Sequence, residues 1–100
     1  MKDLSALTLE DFAATVGTAY AADAGPAGTV ELRLLSADAA GGPVPGAARA
    51  PFSLVFSGPF EAQLPQATFL LAHPELGELP IFLVPIGSDA DGVRYEAVFG

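Results

Sequence analysis

Apolar and polar positions change their period near residue 18 of this 100-residue chain. Before it, in "LTLEDFAATVG", Leu9, Phe12 and Val16 recur at helical spacing. Thr8 can cap a first turn, Asp11 stands three residues on, and Glu10 and Asp11 place acids at the positive helix end. Gly17 can end the turn in a left-handed conformation. The pattern predicts a short helix over about Leu9 to Thr15 that lays Phe12 on the core, with a partner-binding amphipathic helix as the alternative.

After residue 18 the period is two. "TAYAAD" predicts a weak strand and "TVELRLLSA" a strong one, with Val30, Leu32 and Leu34 on one face and Glu31 and Arg33 on the other. "DAGPAG" between them is turn-forming. Asp38 to Ala50, "DAAGGPVPGAARA", is too rich in glycine and proline for a strand or helix and predicts a long mobile loop. "PFSLVFSGP", "ATFLLAH", "LPIFLVPIG" and "VRYEAVFG" supply four more strands, joined by tight turns at "PELGE" and "SDADG". Pro80 and Pro85 lack a ladder donor, which predicts an edge strand, or a bulge or strand end at each proline. Six strands with short connections and one N-terminal helix describe a single all-β domain over residues 1–100, an antiparallel barrel or sandwich.

Composition changes the picture in one respect. Four Lys and Arg stand against twelve Asp and Glu, a net charge of −8, which argues against nucleic acid and against anionic membrane surfaces as partners. Yet 51% of residues are apolar and only 16% charged, below the usual quarter. Ile81 to Val84 shows no alternation and Leu70 adjoins Leu71, so some strands are apolar on both faces. The second face is expected to be covered by the helix and long loop, or by a protein partner or a second copy. No run of eighteen apolar residues, no secretion signal and no cysteine is present, so the expectation is a cytoplasmic protein with no membrane insertion and no disulfide.

Candidate chemistry is sparse. His73, the one histidine, could act as a general base oriented by Glu75 or Glu78, with Ser53 or Thr68 brought near by folding. The competing reading makes His73 the end of a strand, held extended by Pro74, its ring bonding a turn carbonyl. Asp89 and Asp91 before Gly92 echo a calcium loop, but a third ligand position and a closing glutamate are missing, and a hairpin turn uses the same residues. The glycine-rich segments lack the lysine of a phosphate-binding loop. Arg33, Arg49 and Arg94 are dispersed in sequence, though folding can gather them. No catalytic, cofactor-binding or metal-binding residues are therefore assigned and no cofactor is expected. His73, Pro74, Gly77, Asp91 and Gly92 are expected to shape turns.

The run from Pro51 to Gly100, with "PFSLVFSGP", "LPQAT", "HPELG", "IFLVPIG" and "YEAVFG", resembles a family of small bacterial domains of unknown function, about one hundred residues long. "LEDFAATVGTAY" resembles that family's opening. The chain departs from the pattern at Ala67, where glycine is common, and at Gly100, where asparagine is usual. The resemblance implies no catalytic residues. It also implies an association with phage-tail-collar-like genes, and hence an accessory or structural component of a tail-fibre-like assembly, carried in a larger exported or phage-like particle. The leading expectation is a non-enzymatic interaction or assembly protein that docks through Phe60, Ile81, Leu83 and Val98 or through an open strand edge. The alternatives are a barrel binding a small apolar ligand and a hydrolase using His73.

Overall fold

Local sequence explains how the chain enters the fold. The computed structural model describes residues 7–39 and 51–99. Helix α1 (Leu9–Ala13) starts as expected: the Thr8 N–H donates to Asp11 Oδ2 at 2.9 Å, so the acid at the third helical position satisfies an amide at the helix start. It ends two residues before the expected Thr15. Thr15 N–H donates to the Phe12 carbonyl and Val16 N–H to that of Ala13, so the last turn tightens to three residues. Each residue then advances by about 120° rather than about 100°. Val16 is thereby carried off the core face and left exposed, contrary to its helical spacing with Leu9 and Phe12. Gly17 makes the exit at φ +91°.

Six strands follow: β1 (Ala19–Asp23), β2 (Thr29–Ala39), β3 (Phe52–Gly58), β4 (Ala67–His73), β5 (Gly77–Asp89) and β6 (Gly92–Phe99). They close into a barrel in the order β1-β2-β3-β6-β5-β4, every pair antiparallel. Of the two architectures expected, the barrel is the one formed. Two three-stranded meanders build it, joined by the crossing from Pro59 to Gln66 and closed by β1 against β4. Strand β2 takes in Asp38 and Ala39, the first residues of the expected loop; the remainder of that loop lies outside the described residues.

Two register shifts bend the sheet. Leu34 pairs with Phe56 but Ser36 with Val55, leaving Leu35 as an extra residue in β2. Pro85 pairs with Tyr95 but Gly87 with Arg94, leaving Ile86 as an extra residue in β5. Both are exposed apolar side chains, as the unpaired residue of a bulge can be. Pro85 thus adjoins a bulge. Pro80 lies in the half of β5 that pairs with β4 alone, since β6 joins β5 only from Val84 onward, so at this proline the strand has a ladder partner on one side only.

Alternation then sorts the side chains. Val30, Leu32 and Leu34 of β2, Phe52, Leu54 and Phe56 of β3, and Tyr95, Ala97 and Phe99 of β6 point inward, while Arg33, Val55, Arg94 and Val98 point outward. In β5 the inward set is Leu79, Ile81 and Leu83, each with no exposed surface, and Phe82 is half exposed. This corrects the interface expected at Ile81 and Leu83: both belong to the core, because a period of two allows them only the face opposite Phe82.

Each barrel end is stoppered. At one, Phe12 sits against the stacked pair Phe52 and Phe99, ring centroids 5.7 and 5.5 Å away. At the other, Leu64 of the crossing is buried and its N–H donates to Tyr95 Oη at 2.8 Å. Because Phe12 has no exposed surface, Phe12→Ala should leave a cavity and lower stability by about 3–5 kcal/mol. Urea unfolding would measure this as a lower midpoint at unchanged slope.

Candidate functional site

His73 ends β4 with its ring turned into the barrel, only 6% exposed. Its Nδ1 accepts the Glu75 N–H at 3.1 Å, which leaves the ring proton on Nε2. Nε2–H therefore donates to Thr18 Oγ1 at 2.9 Å, and Thr18 passes its own proton to the Thr15 carbonyl at 2.6 Å. A parallel chain runs from Tyr20 O–H to Thr15 Oγ1 at 2.7 Å, and from Thr15 Oγ1 to the Phe12 carbonyl, also 2.7 Å. Tyr20 and His73 rings lie 4.6 Å apart. Every side-chain proton in this chain of bonds, which runs from buried His73, Thr15 and Tyr20 to the more exposed Thr18, has one acceptor and a fixed direction.

That direction opposes catalysis by His73. The nitrogen facing a hydroxyl is a donor, whereas a general base must accept. The other nitrogen is filled by the turn it closes. Ser53 and Thr68 lie on the outward faces of β3 and β4, across the sheet from the imidazole, and Glu78 is exposed. Thr15, Thr18 and Tyr20 are not legible as a cluster in the sequence, since Thr18 and Tyr20 meet His73 only through closure of β1 on β4 and Thr15 joins through them; the single signal was the recurrence of hydroxyl residues between Thr15 and Tyr20.

The turn residues stand where a hairpin needs them. His73 pairs with Gly77, which adopts φ +80°, around Pro74. In the β5–β6 turn, Asp91 N–H donates to Asp89 Oδ1 at 2.8 Å, while Asp89 Oδ2 pairs with Arg94. Both carboxylate oxygens of Asp89 are engaged in this way, while Asp91 takes part through its backbone N–H and its side chain is exposed. Gly92 adopts φ +152°, and a Cβ there would lie 2.3 Å from the Gly58 carbonyl oxygen.

The outer face carries the other candidate. Val98 is 67% and Phe82 50% exposed. Along β5, Pro80, Phe82 and Val84 share the outward face, and across the sheet Val84 pairs with Glu96, which pairs with Val55. Pro80 pairs with Leu70 on its other side. These positions form an apolar stripe over β3, β6, β5 and β4, interrupted by Glu96, by Thr68 opposite Phe82 and by Ser53 opposite Val98. Phe60 is exposed too, but on the crossing between β3 and β4. Of the four residues expected at an interface, Val98 lies in the stripe, Phe60 stands apart, and Ile81 and Leu83 lie beneath it. Phe82 is the missed residue; Glu78, two pairs back on the same face, was the signal that even positions of β5 point out.

Folding also gathers two arginines. Arg33 of β2 and Arg94 of β6 both pair with Ser57 of β3, one from each side. They wall a surface groove of about 460 Å³.

The family model described as a domain of unknown function, DUF6916, matches residues 7–99. No curated protein and no solved structure matches the chain.

Burial raises the Tyr20 phenol above its ordinary value of 10.0, and the nearby Glu75 charge adds to this, while the bond to Thr15 opposes it. The folded chain thus holds the Tyr20 proton where an unfolded chain releases it. The stability this contributes is complete below pH 10.0 and is lost as pH rises through the folded value. Tyr20→Phe should cost about 1 kcal/mol near neutrality. The gap to the native chain should narrow as unfolding is measured from about pH 9 to about pH 12; a constant gap would contradict this.

Proposed function

This chain belongs to the DUF6916 family, domains of unknown function, and we propose that it is a non-enzymatic docking module that binds a protein partner through its outer apolar stripe. The observation that carries the reading is the exposure of Phe82 and Val98 beside inward neighbours that are fully buried. A monomeric domain scatters its exposed apolar residues; apolar residues gathered on one outer face mark a contact surface. Among the described residues, Tyr20, Phe56, Tyr95, Leu32, Leu54 and Ile81 fill the interior with no exposed surface. This weighs against the small-ligand alternative, and the donor role of His73 Nε2 weighs against the hydrolase.

Charge selects the kind of partner. The chain carries −8, and Glu96 and Glu78 lie within and beside the stripe. Two copies docked stripe to stripe would bring like charges together, whereas a partner whose apolar patch is rimmed by Lys or Arg would meet opposite ones. A component of a tail-fibre-like assembly, as the sequence resemblance implies, is one setting for such a partner.

The test pairs two substitutions on one strand. Phe82→Ser should abolish partner capture from host lysate and change stability by less than about 0.5 kcal/mol. Ile81→Ala should instead lower stability by about 2–5 kcal/mol. Capture should weaken as salt rises, and Phe60→Ser should leave it intact. Capture that survives Phe82→Ser and Val98→Ser, or a stable dimer of the purified chain, would overturn the proposal.

A further inference from the structure

The arginine groove lies on a different row of the sheet from the stripe. Among the described residues Arg33 and Arg94 are the only cationic side chains of Lys or Arg type, and the register sets both beside Ser57. Neighbouring strands lie about 4.8 Å apart, so the two arginine Cα atoms stand roughly 10 Å from one another with the serine between them. In a sheet stabilised by cross-strand charge pairs, position 57 is where a single carboxylate would meet both arginines at once. The chain places a neutral hydroxyl there.

Each arginine is tethered on the side away from Ser57. Arg33 Nη1 donates to the Gly17 carbonyl beyond β2, and Arg94 Nη2 pairs with Asp89 of β5. Neither guanidinium is satisfied in full by these contacts, and Arg94 Nη1 is buried without an acceptor. A buried donor left unmet is unfavourable, and more so on a charged group. Turning about its Asp89 contact would offer that nitrogen to an acceptor in the groove. Beside Ser57, Gly92 contributes no side chain: a Cβ there would come within 3.0 Å of Ser57 Oγ and cover it. The groove walls also include Leu35, pushed out by the β2 bulge, and Pro59.

We propose that this groove binds a carboxylate carried on a short apolar stem, with the charge over Ser57 between Arg33 and Arg94 and the stem against Leu35 and Pro59. Glu31 and Asp91 line the same groove. Together with Asp89 they disfavour a second negative charge, so a monoanion fits and a phosphate dianion does not. The carboxylate can belong to a free organic acid or to the C-terminus of a protein chain; both present the same group.

The experiment follows backbone and arginine side-chain NMR signals of the native chain during titration. The probes are hexanoate, hexanamide, inorganic phosphate and N-acetyl-alanyl-leucine, whose single charge is its terminal carboxylate. Hexanoate should shift Ser57, Arg33 and Arg94 signals saturably and bind at least about tenfold tighter than hexanamide or phosphate. Tighter binding of the dipeptide would assign the site to a chain terminus, and tighter binding of hexanoate to a free acid. Ser57→Asp supplies the anion internally. It should remove hexanoate binding and raise the melting temperature. Absence of saturable shifts, equal binding of hexanamide, stronger binding of phosphate, or a lower melting temperature for Ser57→Asp would each overturn the proposal.

Discussion

The structure depends on a short seam. Strand β1 meets β4 through three residue pairs, Ala21 with Ala72, Ala22 with Leu71 and Asp23 with Leu70. These pairs join the first meander to the second and turn a twisted sheet into a closed barrel. Ladder bonds over so short a length are reinforced just beyond it, where Thr18 accepts from His73 and the Tyr20 ring lies against the imidazole. The histidine is therefore a fastener between strands that are distant in sequence, and the hairpin turn it closes holds its tautomer. Loss of the seam would expose the edges of β1 and β4 and uncover the core behind them.

Closure has consequences for both faces. Inward side chains fill the barrel, and Phe12 at one end and Leu64 at the other complete the packing. A small barrel filled in this way has its interior occupied by its own side chains, which is why the proposed docking surface lies on the outside. There the two bulges matter beyond their effect on curvature. Each adds a residue that the ladder does not use, and each presents it as an exposed apolar side chain, Leu35 in one case and Ile86 in the other. The outer face thus acquires apolar contact surface without disturbing the alternation that keeps the core dry.

Much of this was legible in the sequence, for local reasons. Strands β2, β3 and β6 alternate cleanly, and their facing followed from period two. The Thr8 and Asp11 pair marked the helix start, and the glycines at 77 and 92 marked the turns. Strand β5 was less legible because Ile81 to Val84 is apolar on both faces, so hydrophobicity could not choose between Ile81 and Phe82. Only the parity of Glu78 carried that information. The Arg33–Ser57–Arg94 row and the network from His73 to Tyr20 were hidden for another reason. Each joins residues whose neighbourhood is set by strand order, and strand order is a long-range property that no local window contains.

The most direct test of closure is amide hydrogen exchange at the seam of the native chain. The ladder amides of Ala21 to Asp23 and Leu70 to Ala72 should exchange slowly, with protection approaching that of β3 and β6 in the barrel wall. Exchange at those amides as fast as at an open sheet edge, with β3 and β6 still protected, would contradict a closed barrel and, with it, the proposed docking role of its outer face.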